Sequence, residues 1–210
     1  MSVTTDVTVP AGRSLARRTA HLVLTLLSLA LVSVLLGQGV PAQAASPAAA
    51  PASGSTQNVG SRLGWAQDTV YVQSDATSRW PVKTATERLS QGSALRLVLV
   101  AACPVRASAA DPAVQCITVS SDDLGGGTLA GTTHWTFTKS TNKLTSATVT
   151  LNDRWAKKAS YADRLNIAEH ELGHGVGLPH VKRTSSIMNA VAHGRTKPDA
   201  GDLRDLKARY

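Results

Sequence analysis

Long hydrophobic runs, cysteines and clustered charge are all scarce in this 210-residue chain. No stretch reaches the roughly 20 consecutive apolar residues that a membrane-spanning helix needs. The longest, Leu22 to Leu36, is interrupted by Thr25, Ser28 and Ser33. It follows Arg13, Arg17 and Arg18 and precedes Gly37, Gly39, Pro41 and the small-x-small tripeptide Ala42-Gln43-Ala44. That order describes a signal peptide over residues 1–44, cleaved after Ala44 or Ala45, rather than an anchor helix. Arg17-Arg18 raises the twin-arginine export route, but Thr19-Ala20-His21 fits that signal poorly, which favours ordinary secretion. The mature chain is therefore expected outside the cell and off the membrane.

Cysteine is nearly absent, with only Cys103 and Cys116, both in the exported part. An even count in an oxidising compartment reads as one disulfide. Closing a loop of this size stabilises a fold by roughly 3 kcal/mol. The rival use, a thiolate that blocks a metal, needs a cysteine in a propeptide-like segment upstream, and there is none. The formal charge is +8, of which the leader contributes three arginines against Asp6, leaving +6 beyond it. Beyond the signal segment the basic residues are scattered, with short pairs only at Lys157-Lys158 and Lys182-Arg183. A nucleic-acid surface would cluster them and interleave aromatics, so no nucleic-acid partner is expected. Internal repeats are missing too.

Residues 45–62 open with an Ala/Pro/Ser-rich stretch that cannot bury enough apolar surface to fold, and read as a flexible leader. The folded domain, 63–210, begins near Leu63-Gly64-Trp65. Thr69 to Val72, Leu95 to Val100, Cys116 to Val119, His134 to Thr138 and Ala147 to Leu151 have strand character. Pro81 suits a first helical turn, and Val82, Ala85, Thr86 and Leu89 keep helical spacing up to Gly92. Helical character returns from Ala162, with Asp163 near the N-terminus, and Asp199 to Arg209 forms a last helix. Asp122 to Gly127 is a loop without the Gly-Lys-Ser/Thr ending of a phosphate cradle. Strands first and helices later favour an α+β (mixed α/β) domain.

The stretch that carries chemistry is His170-Glu171-Leu172-Gly173-His174-Gly175-Val176-Gly177-Leu178-Pro179-His180. Positions four apart share a helix face, so His170 and His174 can aim at one point. Neutral imidazole is a natural zinc ligand. A third ligand must approach from another direction, which His180 can do only if the helix stops and the chain turns. Gly177 supplies the turn and Pro179 stiffens the chain ahead of the ligand. Three protein ligands leave a vertex open for water, as catalytic zinc sites do. Glu171, beside the first ligand, is then the general base that takes the water's proton and later serves as acid. The chain has only six histidines and three glutamates. Glycines 173, 175 and 177 each cost a helix about 1 kcal/mol relative to alanine. Stability alone would not place them there.

This stretch resembles, position for position, the extended zinc signature of the metzincin clan of metalloproteases. Ser185-Ser186-Ile187-Met188-Asn189 is similar to the clan's Met-turn, which implies that Met188 forms a hydrophobic floor beneath the metal. The chain looks most like small bacterial matrixin-like or snapalysin-like proteases, and the closing Asp202 to Tyr210 is similar to their last helix. His180 stands where snapalysin-like enzymes carry Asp, which favours the matrixins. Ala190, two residues after Met188, excludes an astacin-like tyrosine ligand, and the vertebrate cysteine-switch motif is absent. The resemblance implies a twisted sheet of about five strands with two long helices and a C-terminal helix. It also implies a sheet edge that grips extended peptide by strand addition, with Leu129 to Thr138 as the candidate.

The expectation is thus a secreted, monomeric zinc endopeptidase acting on polypeptide. Its cofactor is one Zn²⁺; calcium at Asp122 and Asp123 is an option the family suggests, but the calcium-loop spacing is missing and a solvated turn is the simpler reading. His134 and His193 read as surface residues. Two rivals stand beside this one. A non-catalytic peptide- or surface-binding module using zinc for stability would replace Glu171 or add a fourth ligand. A cell-wall amidase would carry a wall-binding module or repeat.

Overall fold

The computed structural model describes residues 2–8, 63–106 and 113–210. The apolar run Leu22 to Leu36, the expected cleavage site and the leader 45–62 lie outside the described residues. Among the described residues no helix is long and apolar enough to cross a membrane.

Five strands come from the domain: β2 (Thr69–Ser74), β3 (Arg96–Val100), β4 (Cys116–Asp122), β5 (Leu129–Thr138) and β6 (Lys143–Asn152). A further strand, β1 (Ser2–Thr8), joins them, giving the sheet order β1-β5-β6-β4-β2-β3. The β2–β3, β2–β4 and β4–β6 pairs are parallel, whereas β5 runs antiparallel to β6 and to β1. The sheet is mixed because β5 and β6 form a hairpin while the other strands are reached by longer connections.

Alternation decides which face is covered. Val70 and Val72, Ile117 and Val119, and Ala147, Val149 and Leu151 are buried two residues apart. Between them, Thr118 and Thr148 are exposed and hydrogen-bond to each other across the strands at 3.1 Å. A sheet covered on both faces would show continuous apolar runs instead. Only one face therefore carries helices. Helix α1 (Val82–Leu89) packs on α3 (Tyr161–Gly175) and on β3, while α3 lies against β5 and β6. A short α2 (Asp153–Ala156) leaves the end of β6, and α4 (Ala200–Lys207) closes the chain.

The α+β architecture follows the order expected from the sequence. Differences lie at the margins. β5 and β6 begin several residues earlier than their apolar centres, since their outer faces are mostly threonine and serine. α2 has no periodic pattern to announce it; it is set by Asn152, whose side-chain oxygen accepts the amides of Arg154 and Trp155. β1 falls in a segment read as the start of the export leader, where no strand was expected. The expected disulfide between Cys103 and Cys116 is present, bridging Cα atoms 5.9 Å apart and tying the β3–β4 connection to the first residue of β4.

Candidate metal centre

Helix α3 begins with Ser160, whose hydroxyl accepts the Asp163 amide at 3.1 Å, and runs into the sheet's buried side. Its second half is entirely buried. His170 and His174, one turn apart, are 1% and 2% exposed, so both imidazoles sit inside the fold rather than on its surface.

The helix stops in a Schellman arrangement. The Leu178 amide donates to the Gly173 carbonyl at 2.9 Å and the Gly177 amide to the His174 carbonyl at 2.9 Å, with Gly177 at φ +91°. A Cβ on Gly177 would be strained by that backbone angle and would overlap the Leu63 carbonyl. The turn reverses the chain and brings half-buried His180 back over the helix.

The three rings then meet. His170 Nε2 lies 3.0 Å from His174 Nε2 and 3.2 Å from His180 Nε2. The ligand atoms of all three fall within 4.8 Å of one another, and among the described residues this group consists of these histidines alone. His134 and His193 are exposed and take no part. Asp122 and Asp123 accept the amides of Asp123 and Gly125 in a turn, at 2.7 and 2.9 Å.

Proton placement tells what the cluster can hold. His170 Nδ1 is 2.7 Å from the Ile187 carbonyl, and His174 Nδ1 is 2.8 Å from the Leu178 carbonyl. A carbonyl only accepts, so each ring carries its proton on Nδ1 and presents an unprotonated Nε2. Burial, with the neighbouring His180 adding to it and the Ile187 carbonyl opposing, pushes the His170 pKa down to about 3. Burial and the other two rings likewise hold His174 well below its ordinary value. Both are neutral in physiological conditions. Two bare nitrogen lone pairs 3.0 Å apart repel unless a cation lies between them. Zinc bonds of about 2.0–2.1 Å at a tetrahedral angle separate their nitrogens by about 3.3–3.4 Å, so the donor set fits that ion.

The carbonyls that orient the rings are themselves held. The Ile187 amide donates to Asp202 Oδ2 at 3.1 Å, and the Ser186 hydroxyl bonds Asp202 Oδ1. Asp202 is 1% exposed and lies in the first turn of α4, so the last helix anchors the turn containing Ile187 and Met188. Met188 is buried, and its sulfur sits where a Cβ on Gly173 would be. That turn therefore packs directly against the helical turn between His170 and His174. Nothing in the sequence singled out Asp202 beyond its place in a final helix.

Glu171 is 0% exposed and points toward β5, where the Thr133 hydroxyl is 2.6 Å from its Oε2. The candidate strand Leu129 to Thr138 is thus placed beside the expected base, though no sequence pattern marks Thr133 within it.

A mixed sheet with helices on one face, and a buried helix that meets a returning loop through three imidazoles, define a metzincin-like zinc metalloprotease domain. The sequence matches the matrixin family over residues 73–210, about two-thirds of the chain, and the protein belongs to that family. Comparison with curated proteins finds no match.

Proposed function

We propose that the protein is an exported endopeptidase that hydrolyses extended polypeptide, with zinc held by His170, His174 and His180 and Glu171 as proton carrier. The observation that carries this reading is the convergence of the three Nε2 atoms of His170, His174 and His180, with the buried Glu171 next in sequence to the first of them. Zinc, when bound, lowers the pKa of water toward neutrality and polarises a carbonyl. The chain's own residues do the rest. The Ile187 and Leu178 carbonyls keep the two helical imidazoles in the ligating tautomer. Glu171 receives the proton of the attacking water and delivers it to the departing amine. Met188 supports the helical turn from below, and β5 offers its edge to a substrate strand.

In the uncut chain that edge is taken. β1 runs antiparallel along β5, from Ser2 opposite Thr136 to Thr8 opposite Leu129. Cleavage after Ala44 or Ala45 would remove β1 with the signal peptide and free the edge, coupling export to activity.

Substitution Glu171→Gln tests the assignment of roles. It keeps the shape of the side chain and removes the base. Casein or peptide hydrolysis should fall by about 10²–10⁴-fold with zinc content unchanged. Equal turnover in both proteins would remove Glu171 from the chemistry, and no turnover in either zinc-loaded protein would assign the site to a non-catalytic zinc-stabilised module instead.

A further inference from the structure

Residues 131 and 133 stand two apart on β5 and so share one side of the strand. Both meet Glu171. Thr133 is fully buried, and its hydroxyl lies 2.6 Å from Glu171 Oε2 and 2.9 Å from the Glu171 carbonyl oxygen. A hydroxyl has one proton to give, and the carboxylate contact has the short length of a charge-assisted bond. At Gly131 a Cβ would come 2.9 Å from Glu171 Cγ and 3.1 Å from Oε1. The glutamate side chain lies flat against the strand at the point where no side chain is in its way.

We propose that Thr133 is a positioning residue for peptide hydrolysis: its hydroxyl, with Gly131 leaving the room, holds the Glu171 carboxylate in the one orientation from which it exchanges a proton. The proposal rests on the peptidase reading, in which Glu171 carries that proton. A glutamate has three rotatable bonds, and a carboxylate that swings must be re-ordered at every turnover. Thr133 removes that freedom from a stiff support. It is β-branched, which restricts its χ1, and it sits mid-strand, paired with Val149 of β6. Engaging one carboxylate oxygen sets the plane of the group and hence the direction of the other. Thr133 acts only through Glu171.

The experiment compares steady-state kinetics and zinc content for wild type, Thr133→Val, Thr133→Ser and Glu171→Gln, each zinc-loaded. Valine keeps the volume and branching but loses the hydroxyl; serine keeps the hydroxyl. Thr133→Val should lower kcat roughly 10- to 100-fold, with KM and zinc content unchanged. Thr133→Ser should recover most of that loss. The proposal is overturned if Thr133→Val turns over like wild type, if it loses zinc, or if serine falls as far as valine. The last result would make the methyl packing, not the hydroxyl, the source of the effect. Should wild type itself show no hydrolysis, the peptidase reading fails; should Glu171→Gln hydrolyse as fast as wild type, the role of Glu171 on which this proposal rests fails; should only the Thr133 variants behave as wild type, that reading stands and this proposal alone falls.

Discussion

Gly177 bears two demands that no other residue type meets together. It holds φ at +91°, and its α-hydrogen faces the Leu63 carbonyl where a methyl group would not fit. Gly177→Ala should therefore destabilise the fold by about 1–2 kcal/mol from the backbone angle alone, and more from the overlap. Thermal unfolding of the zinc-loaded protein should register this as a drop of several degrees. An unchanged melting temperature would mean that the turn after His174 adapts freely. The residues legible from sequence were those whose work is local. His170, Glu171, His174 and Gly177 announce themselves by spacing along one helix and its cap. Thr133 and Asp202 do not, because they reach Glu171 and Ile187 across 38 and 15 residues of chain. No local pattern marks a threonine that will face a glutamate from the neighbouring strand.

Elements were legible where burial imposed a period. The alternation in β2, β4 and β6 follows from one covered face, and α3 from its continuous burial on the far side of Ser160. The short α2 depends on a single cap, and β1 on a tertiary pairing with a strand more than a hundred residues away, so neither left a periodic trace. At this scale α4 matters most, because its first turn anchors the loop that orients His170. Asp199 caps that helix in a reciprocal capping box with Asp202. Burial disfavours ionisation of Asp199, but hydrogen bonds from Arg183, Ser185 and the Asp202 amide outweigh it, holding the carboxyl below its ordinary 3.8. A depressed acid stabilises the fold above its unfolded value and ceases to do so as pH falls through the folded one. Asparagine caps a helix about as well but cannot ionise. Wild type should therefore be more stable than Asp199→Asn at about pH 6, and the gap should close toward about pH 2. Parallel acid limbs in urea unfolding of the two proteins would contradict this.

Over the whole molecule, the two ends of the domain are joined at the close of the metal helix. The Tyr210 hydroxyl donates to the Val176 carbonyl at 2.9 Å and accepts the Trp65 amide at 3.1 Å, while the Trp65 indole donates to the Gly175 carbonyl at 2.9 Å. At the β5 edge, residues 2–8 pair as β1. On the proposed reading, residues 45–210 should cleave a peptide at least about 10-fold faster than the full chain, because β1 competes for the edge from within the same molecule at high effective concentration. A synthetic peptide of residues 2–8 should inhibit the shorter form competitively. Equal rates for the two lengths would show that β1 does not obstruct substrate.

The proposed chemistry requires three imidazoles to share one ion with a corner left for water. X-ray absorption at the zinc edge of the purified, zinc-loaded protein tests this most directly. It should report one zinc per chain with three imidazole nitrogens and one further oxygen at about 2.0–2.1 Å. A sulfur, a fourth protein ligand, or only two imidazoles around the metal would contradict it.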